Sequence, residues 1–420
     1  MASLDALLAL LAPADAAAFE SKAARAVLGA VLEKHGGDAV AAAAAVTAVL
    51  DADREEAAEK EAFGPENLAP AEFGFLPVRG TSLTRTPLEE AYDYIVVGSG
   101  SAGSIVANRL SADPSRRVLL LEAGLEDDLE AIHRVGSCGA LQRSDLDWQY
   151  QTEPEPNACL KFGERRSNWP RGKVMGGSSC LNYMQYVRGN AQNYDSWRDE
   201  YGCEGWGFDD VLPLFKRSEN NADFGESEYH GAGGELDVAQ PVPESATPLR
   251  QIFIDAGDQA GFTANDDYNG AEQFGTGGVQ LSADQRGVRS NTARAFIHTV
   301  ADERPNLTVA AACHVTRVLF EGEGPERRAV GVALHRMTAA GASDEIIVRA
   351  EREVVLSGGA ISSAHTLLLS GIGPKEELAQ HGIECVADLP VGLNLQDHIM
   401  VAMSCPSNPC HSADFSCRNP

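Results

Sequence analysis

The stretch Tyr94-Ile95-Val96-Val97-Gly98-Ser99-Gly100-Ser101-Ala102-Gly103, a helical run after it, and Val118-Leu119-Leu120-Leu121-Glu122-Ala123-Gly124 decide the fold. An apolar β-branched run, a glycine turn, a segment carrying Val106, Ala107 and Leu110, and a second apolar run read as strand, turn, helix and strand. This is the pattern of a dinucleotide-binding βαβ unit. Gly98, Gly100 and Gly103 fall where such a unit needs a tight turn, backbone approach to a pyrophosphate, and close contact of helix with strand. Ser101 and Ala102 complete the cofactor-binding turn. Glu122 ends the second strand about twenty residues beyond the turn, where a carboxylate can accept hydrogen bonds from a ribose diol.

Upstream, residues to about Arg85 carry alanine-rich runs such as Ala41 to Ala45, which predict two or three helices with Gly36-Gly37 separating two of them. Pro65, Pro70 and Pro77 mark an extended linker into the first strand. Whether this extension is passive or docks a partner stays open. Downstream comes Trp169-Pro170-Arg171-Gly172-Lys173-Val174-Met175-Gly176-Gly177-Ser178-Ser179-Cys180-Leu181-Asn182. Paired glycines followed by paired serines let backbone lie against a flat or charged ligand while hydroxyl and N–H groups donate to it. Taken alone, the same residues also read as a turn leading into a helix.

Together these segments resemble the glucose-methanol-choline (GMC) oxidoreductases, flavoproteins that oxidise alcohols, and within them the choline dehydrogenase type. Gly172 to Asp195 follows the family's first signature, including Asn182, Tyr186 and Gly189, with Met175 where a branched aliphatic or Trp is usual. Gly359-Ala360-Ile361-Ser362-Ser363-Ala364-His365-Thr366-Leu367-Leu368-Leu369-Ser370-Gly371-Ile372-Gly373 resembles the second, with departures at Ala364 and Thr366. Val391-Gly392-Leu393-Asn394-Leu395-Gln396-Asp397-His398 matches a third stretch, so the resemblance runs from about residue 92 to 400.

The implied fold is α/β: a Rossmann-like FAD-binding domain interleaved with an α+β substrate domain, plus the N-terminal helical extension over residues 1–90. FAD-binding segments are expected at about 91–125, 165–195, 305–375 and 388–400, with substrate-side segments between them. Flavin is expected along Ser178 to Gln185, with Gly177, Asn182, Tyr183, Met184, Arg171, Val174 and Gly359 in the cofactor set and a backbone contact to adenine from Val315. Asp195 to Phe215 reads as helical, and Tyr229-His230-Gly231 to Val238 as turning into a strand. Leu307 to Ala311, Val315 to Glu321, Ala329 to Arg336 and Ile346 to Arg349 read as antiparallel strands with turns at Gly322, Gly324 and Gly341. Glu353 to Ser357 reads as the return to the parallel sheet.

At 420 residues and 44% hydrophobic content, the chain can bury one large or two ordinary cores. Sixty-one acidic against 34 basic residues give a net charge of -27, which argues against nucleic acid or an anionic membrane as partner. No apolar run reaches the ~18 residues of a membrane-spanning helix. Nine cysteines without a Cys-x-x-Cys pair, and an N-terminus lacking a basic flank, point to a reducing cytoplasmic or organellar compartment and to no zinc site. The irregular tail 401–420, with Cys405, Cys410, His411 and Cys417, matches nothing in the family, nor do its spacings match common metal sites.

The resemblance implies that flavin N5 of FAD takes hydride from a small-molecule alcohol while a histidine base takes the hydroxyl proton, with oxygen or a quinone as the open choice of final acceptor. It places that histidine beyond the family's N-terminal region, so no catalytic group is assigned here. His230, His365 and His398 are expected to be structural, and the 420-residue chain is expected not to turn over alcohols. Two alternatives stay open. Asn221-Ala222-Asp223-Phe224-Gly225 to Gly231 resembles fatty acid photodecarboxylases, although Val401 stands where their functional cysteine aligns; the other is a non-catalytic truncated product.

Overall fold

The computed structural model describes residues 86–160, 163–241, 247–338 and 341–398, with isolated positions between 31 and 46 and at 83. The chain divides into two compact units, Met1–Phe73 and Gly74–Pro420. In the first, residues 39–43 are helical, and Asp38 Oδ1 caps them by accepting from the N–H groups of Val40 and Ala41. The rest of the expected helical extension, its proline linker and the tail from Val401 lie outside the described residues.

The second unit opens with β1 (Ala91–Val97), α1 (Ser101–Ser111) and β2 (Val118–Leu121). β2 reads Val-Leu-Leu-Leu because it lies inside a parallel sheet with both faces covered, and all four side chains are buried. Period-two geometry then sorts the core. Ile95, Leu119 and Leu121 face Val332, Leu334 and Val348, whereas Val96, Val118 and Leu120 face Ala107 of α1 together with Ala293 and Ile297.

The sheet continues with β3 (Leu307–Ala310), β4 (Cys313–Glu321), β5 (Arg328–Thr338) and β6 (Ile346–Leu356). Its parallel part runs β6-β1-β2-β3, with Tyr94 beside both Val118 and Glu353, and Val118 beside Leu307. β4, β5 and the first residues of β6 form an antiparallel meander. Two expectations change here. Leu307–Ala310 is a parallel strand rather than an antiparallel one, because a four-residue run buried on a sheet carries no signal for pairing direction. Ile346 to Arg349 and the segment expected over Glu353 to Ser357 form one strand, which ends at Leu356: no breaker separates them, and Val348 and Ala350 alternate inward with Arg349 and Glu351 outward.

On the other side of the sequence, the segment expected as one helix is two, α2 (Ala191–Asp199) and α3 (Phe208–Ser218). Gly202 and Gly205 between them have φ of 70° and 81°, outside the helical region. Asn190 caps α2 through the N–H of Gln192, and Asp209 and Asp210 at the start of α3 with Lys216 and Arg217 at its end complement the helix dipole. The strand expected near Val238 is short, Leu236–Val238, and pairs in parallel with Glu219–Asn221.

Beneath these strands lies a buried ion cluster. Arg188 Nη2 donates to Glu219 Oε2 at 2.6 Å, and Gly231 N–H donates to the same oxygen at 2.8 Å. His230 sits with Nδ1 3.2 Å from Glu219 Oε1 and Nε2 2.8 Å from Asp267 Oδ2, and Phe224 stacks on its ring. Burial alone would lower the His230 pKa, but the hydrogen bonds to the two carboxylates outweigh it and raise it. A His whose folded pKa exceeds its unfolded value near 6.5 contributes stability that is full below pH ~6.5 and fades as pH rises through the folded value. His230→Gln is therefore expected to lower the unfolding temperature more at pH 5.5 than at pH 9; an equal or larger loss at pH 9 would refute the imidazolium assignment.

Candidate functional site

The turn after β1 is held from three sides. Gly98 N–H donates to Leu121 O at 2.8 Å, and Ser357 N–H, just past β6, donates to Val97 O at 2.8 Å. Gly98 has φ +93°, and a Cβ there would lie 2.6 Å from the Ser357 carbonyl oxygen; one on Gly103 would lie 1.9 Å from the Gly98 oxygen. These two glycines let α1 start against the strand. Gly100 differs, because a Cβ there would meet only Gly177 Cα at 3.8 Å. Ser101 and Ala102 are exposed at the α1 N-terminus, where the first N–H groups of a helix lack intrahelical acceptors.

Glu122 follows β2 directly and is buried. Its Oε2 accepts from Ser99 N–H at 3.0 Å and from Ser99 Oγ at 2.7 Å, and its Oε1 accepts from Gly124 N–H at 2.8 Å. Burial pushes its pKa up, only partly offset by these donors. A carboxylate has about four lone-pair sites, so three internal bonds leave capacity for a further donor. Ser99 went unnoticed in the sequence, where the only signal is a hydroxyl between two glycines of the turn.

The second glycine loop meets the first backbone to backbone. Gly176 N–H donates to Ser99 O at 3.1 Å, and a Cβ on Gly177, whose φ is +56°, would lie 2.7 Å from Gly100 Cα. Residues Gly177–Cys180 form a single 3-10 turn. Ser178 within it and Asn182, Tyr183 and Gln185 beyond it are exposed, while the Val174 and Met184 side chains on either side are buried. Arg171 folds back on its own hairpin, donating to Pro170 O with its guanidinium over the Trp169 ring.

Two further segments reach the turn. Cys313 N–H donates to Glu122 O at 2.7 Å, which brings the start of β4 beside Glu122. Val315 is buried there and pairs with Leu334. Gly359, φ +82° and exposed, opens the helix α4 (Gly359–Leu369) two residues after Ser357. His365 is exposed on α4, His398 is exposed near residue 400, and His230 belongs to the ion cluster. The structure thus brings Gly98, Gly100, Ser101, Ala102, Gly103, Glu122 and Gly177 together, with Val315 and Gly359 close in the fold.

A buttress behind the second loop escaped sequence reasoning. Thr292 N–H donates to Ser179 Oγ at 3.0 Å, and Ser179 Oγ donates to Gly176 O at 2.6 Å. Buried Asp127 accepts from Asn291 Nδ2 at 2.9 Å and lies 2.6 Å from His298 Nε2. Burial would raise the Asp127 pKa, but His298 and Asn291 hold it below the usual value.

No helix among the described residues is long and apolar enough to cross a membrane. Residues 92–400 match the family model described as GMC oxidoreductase. The chain is 44% identical over 319 residues to an alcohol dehydrogenase [acceptor] of Pseudomonas putida, covering 76% of this chain and 55% of that protein. It is 42% identical over 330 residues to a glucose dehydrogenase [FAD, quinone] of Drosophila melanogaster, covering 76% of this chain and 50% of the other. The crystal structure of pyridoxine 4-oxidase from Mesorbium loti superposes with a TM-score of 0.63 at 34% identity, over 71% of this chain and 55% of that one. The chain spans about half the length of the curated relatives it matches. With its βαβ turn, its second glycine loop and this match over most of its length, the chain belongs to the GMC oxidoreductase family.

Proposed function

We propose that residues 92–400 bind FAD and that the protein uses it to oxidise the CH–OH group of a small-molecule alcohol, with oxygen or a quinone as final acceptor. One observation carries this reading: two glycine loops are pressed backbone to backbone beside a buried carboxylate that retains acceptor capacity. The residues fit the cofactor. Gly100 has space where side chains would otherwise intrude, and the α1 N-terminus beside it favours a pyrophosphate.

In this reading Gly98, Gly100, Ser101, Ala102 and Gly103 hold the pyrophosphate, Glu122 accepts from the ribose, and the Val315 backbone meets adenine. Gly177, Ser178, Asn182, Tyr183, Met184 and Gln185 face the flavin, with Arg171, Val174 and Gly359 completing the set. Bound FAD supplies a hydride acceptor that no amino-acid side chain provides. The chain's own part is to orient the ring and shelter it from water. The cofactor-binding region is discontinuous, built from about 91–125, 165–195, 305–375 and 388–400, with the segments between them on the substrate side.

The test is the FAD content of the purified protein together with alcohol-dependent dye reduction across choline, aromatic and long-chain alcohols. Glu122→Ala is expected to weaken FAD binding by about 1–3 kcal/mol through loss of a buried acceptor. The same variant holding FAD as tightly as the parent would remove Glu122 from the site.

A further inference from the structure

Arg289 is the largest fully buried side chain in the described structure. Its Nε donates to Ile132 O at 2.7 Å, and its Nη1 donates to Ser179 O at 3.0 Å, Asn182 O at 2.9 Å and Asn182 Oδ1 at 2.8 Å. Nη2 has no partner. All the acceptors are neutral, and none of the ion pairs among the described residues includes this guanidinium. Burial holds its pKa below the usual value for arginine. A buried cation without a counter-charge is costly.

What it fixes is Asn182. The amide oxygen accepts from Arg289 Nη1 and from Met184 N–H at 3.1 Å, so two donors dictate which end of the amide faces inward. The amide NH2 must therefore face away from Arg289. Asn182 is exposed, and no other side chain of the described structure accepts from that NH2. Arg289 also holds the carbonyls at both ends of the Ser179-Cys180-Leu181-Asn182 turn, which turns its dipoles toward the buried cation.

We propose that Arg289 is a positioning residue: by gripping the Ser179–Asn182 turn it presents the Asn182 amide NH2 as a fixed donor to the flavin, and its unbalanced charge favours negative charge on that ring. This deepens the FAD reading and rests on it. Arginine suits the task because its rigid fork reaches separate acceptors, whereas a lysine ammonium is a single flexible point charge.

Asn182→Asp separates this role from a merely structural one. The carboxylate is isosteric, keeps both inward bonds and gives Arg289 a counter-charge, so the fold should be unharmed and its unfolding temperature no lower than the parent's. It removes the outward donor and cancels the charge. We expect at least tenfold weaker FAD binding by fluorescence titration, and at least tenfold weaker binding of sulfite, which adds to flavin N5 to give an anionic adduct, in the FAD-loaded protein. Arg289→Lys keeps the charge but loses the fork, so FAD binding should weaken while sulfite affinity changes less than in Asn182→Asp. Parent-like FAD and sulfite affinities in folded Asn182→Asp would overturn the inference while leaving the FAD reading intact. A parent protein that binds no FAD would overturn both.

Discussion

Gly177→Val protein is expected to contain no detectable FAD. A Cβ at this position would lie 2.7 Å from Gly100 Cα, a distance real Cβ contacts do not show, and the residue has φ +56°. A β-branched side chain disfavours that left-handed conformation by about 1–3 kcal/mol on its own. The clash is with backbone on both sides, so no side chain can swing away to relieve it. The valine must pry the Gly176–Ser179 loop from the Gly98–Gly103 turn, breaking the Gly176 to Ser99 hydrogen bond and opening the surface proposed to hold the pyrophosphate and ring. The rest of the sheet does not depend on this contact, so the variant should keep its far-UV circular dichroism. Flavin absorbance of the purified protein is the measurement, and a parent-like spectrum would count decisively against placing the cofactor between these loops.

Glu219→Ala is expected to cost about 3–5 kcal/mol of stability, because removing one partner of a buried ion pair leaves the other charge uncompensated. Arg188 and Glu219 are both essentially free of solvent, and Arg188 Nε already lacks a partner. The same substitution strips His230 of one carboxylate and Gly231 N–H of its acceptor. Out of a total of about 5–15 kcal/mol for an ordinary domain, such a loss is a large fraction of the margin. Urea unfolding would show it as a midpoint shift. The half-exposed pair Arg317 and Glu345 supplies the contrast, since breaking it should change stability by no more than about 1 kcal/mol. Equal effects from the two sites would mean that burial does not govern the Glu219 cluster.

How much of this could be read from the residues depends on how far apart the interacting groups lie. The β1 turn, α1 and β2 were legible because periodicity and glycine sterics act within a few residues, and Glu122 announced itself by its distance from the turn. The Gly176–Ser179 loop read either as ligand-facing or as a turn into a helix. It forms one 3-10 turn packed on the first loop, so the turn of the second reading is observed. Ser99, Asp127 and Arg289 were not legible. Their partners sit 23, 171 and 107 residues away, and nothing local distinguishes a buried Arg that grips carbonyls from one on the surface. The direction of β3 was missed for a related reason: apolar runs announce burial, whereas pairing direction is decided by whichever strand lies alongside.

The double membership of β6 bears on how the chain assembles. Its first residues pair with β5, a neighbour in sequence, and its later ones with β1, more than two hundred residues upstream. Closing so long a loop costs entropy that a hairpin does not, so the meander can form early and hold β6 extended until β1 arrives. The strand then acts as a ruler between the antiparallel and parallel parts of one sheet. The pairing of β6 with β1 already shifts register between Ala350 and Glu353, and because side chains alternate with period two, a further residue inserted there would leave the meander in register but turn the Val354, Val355 and Leu356 side chains over relative to it. The connection from Ser357 to Gly98 would shift with them, so an error in a strand far from the glycine turn would be delivered to that turn.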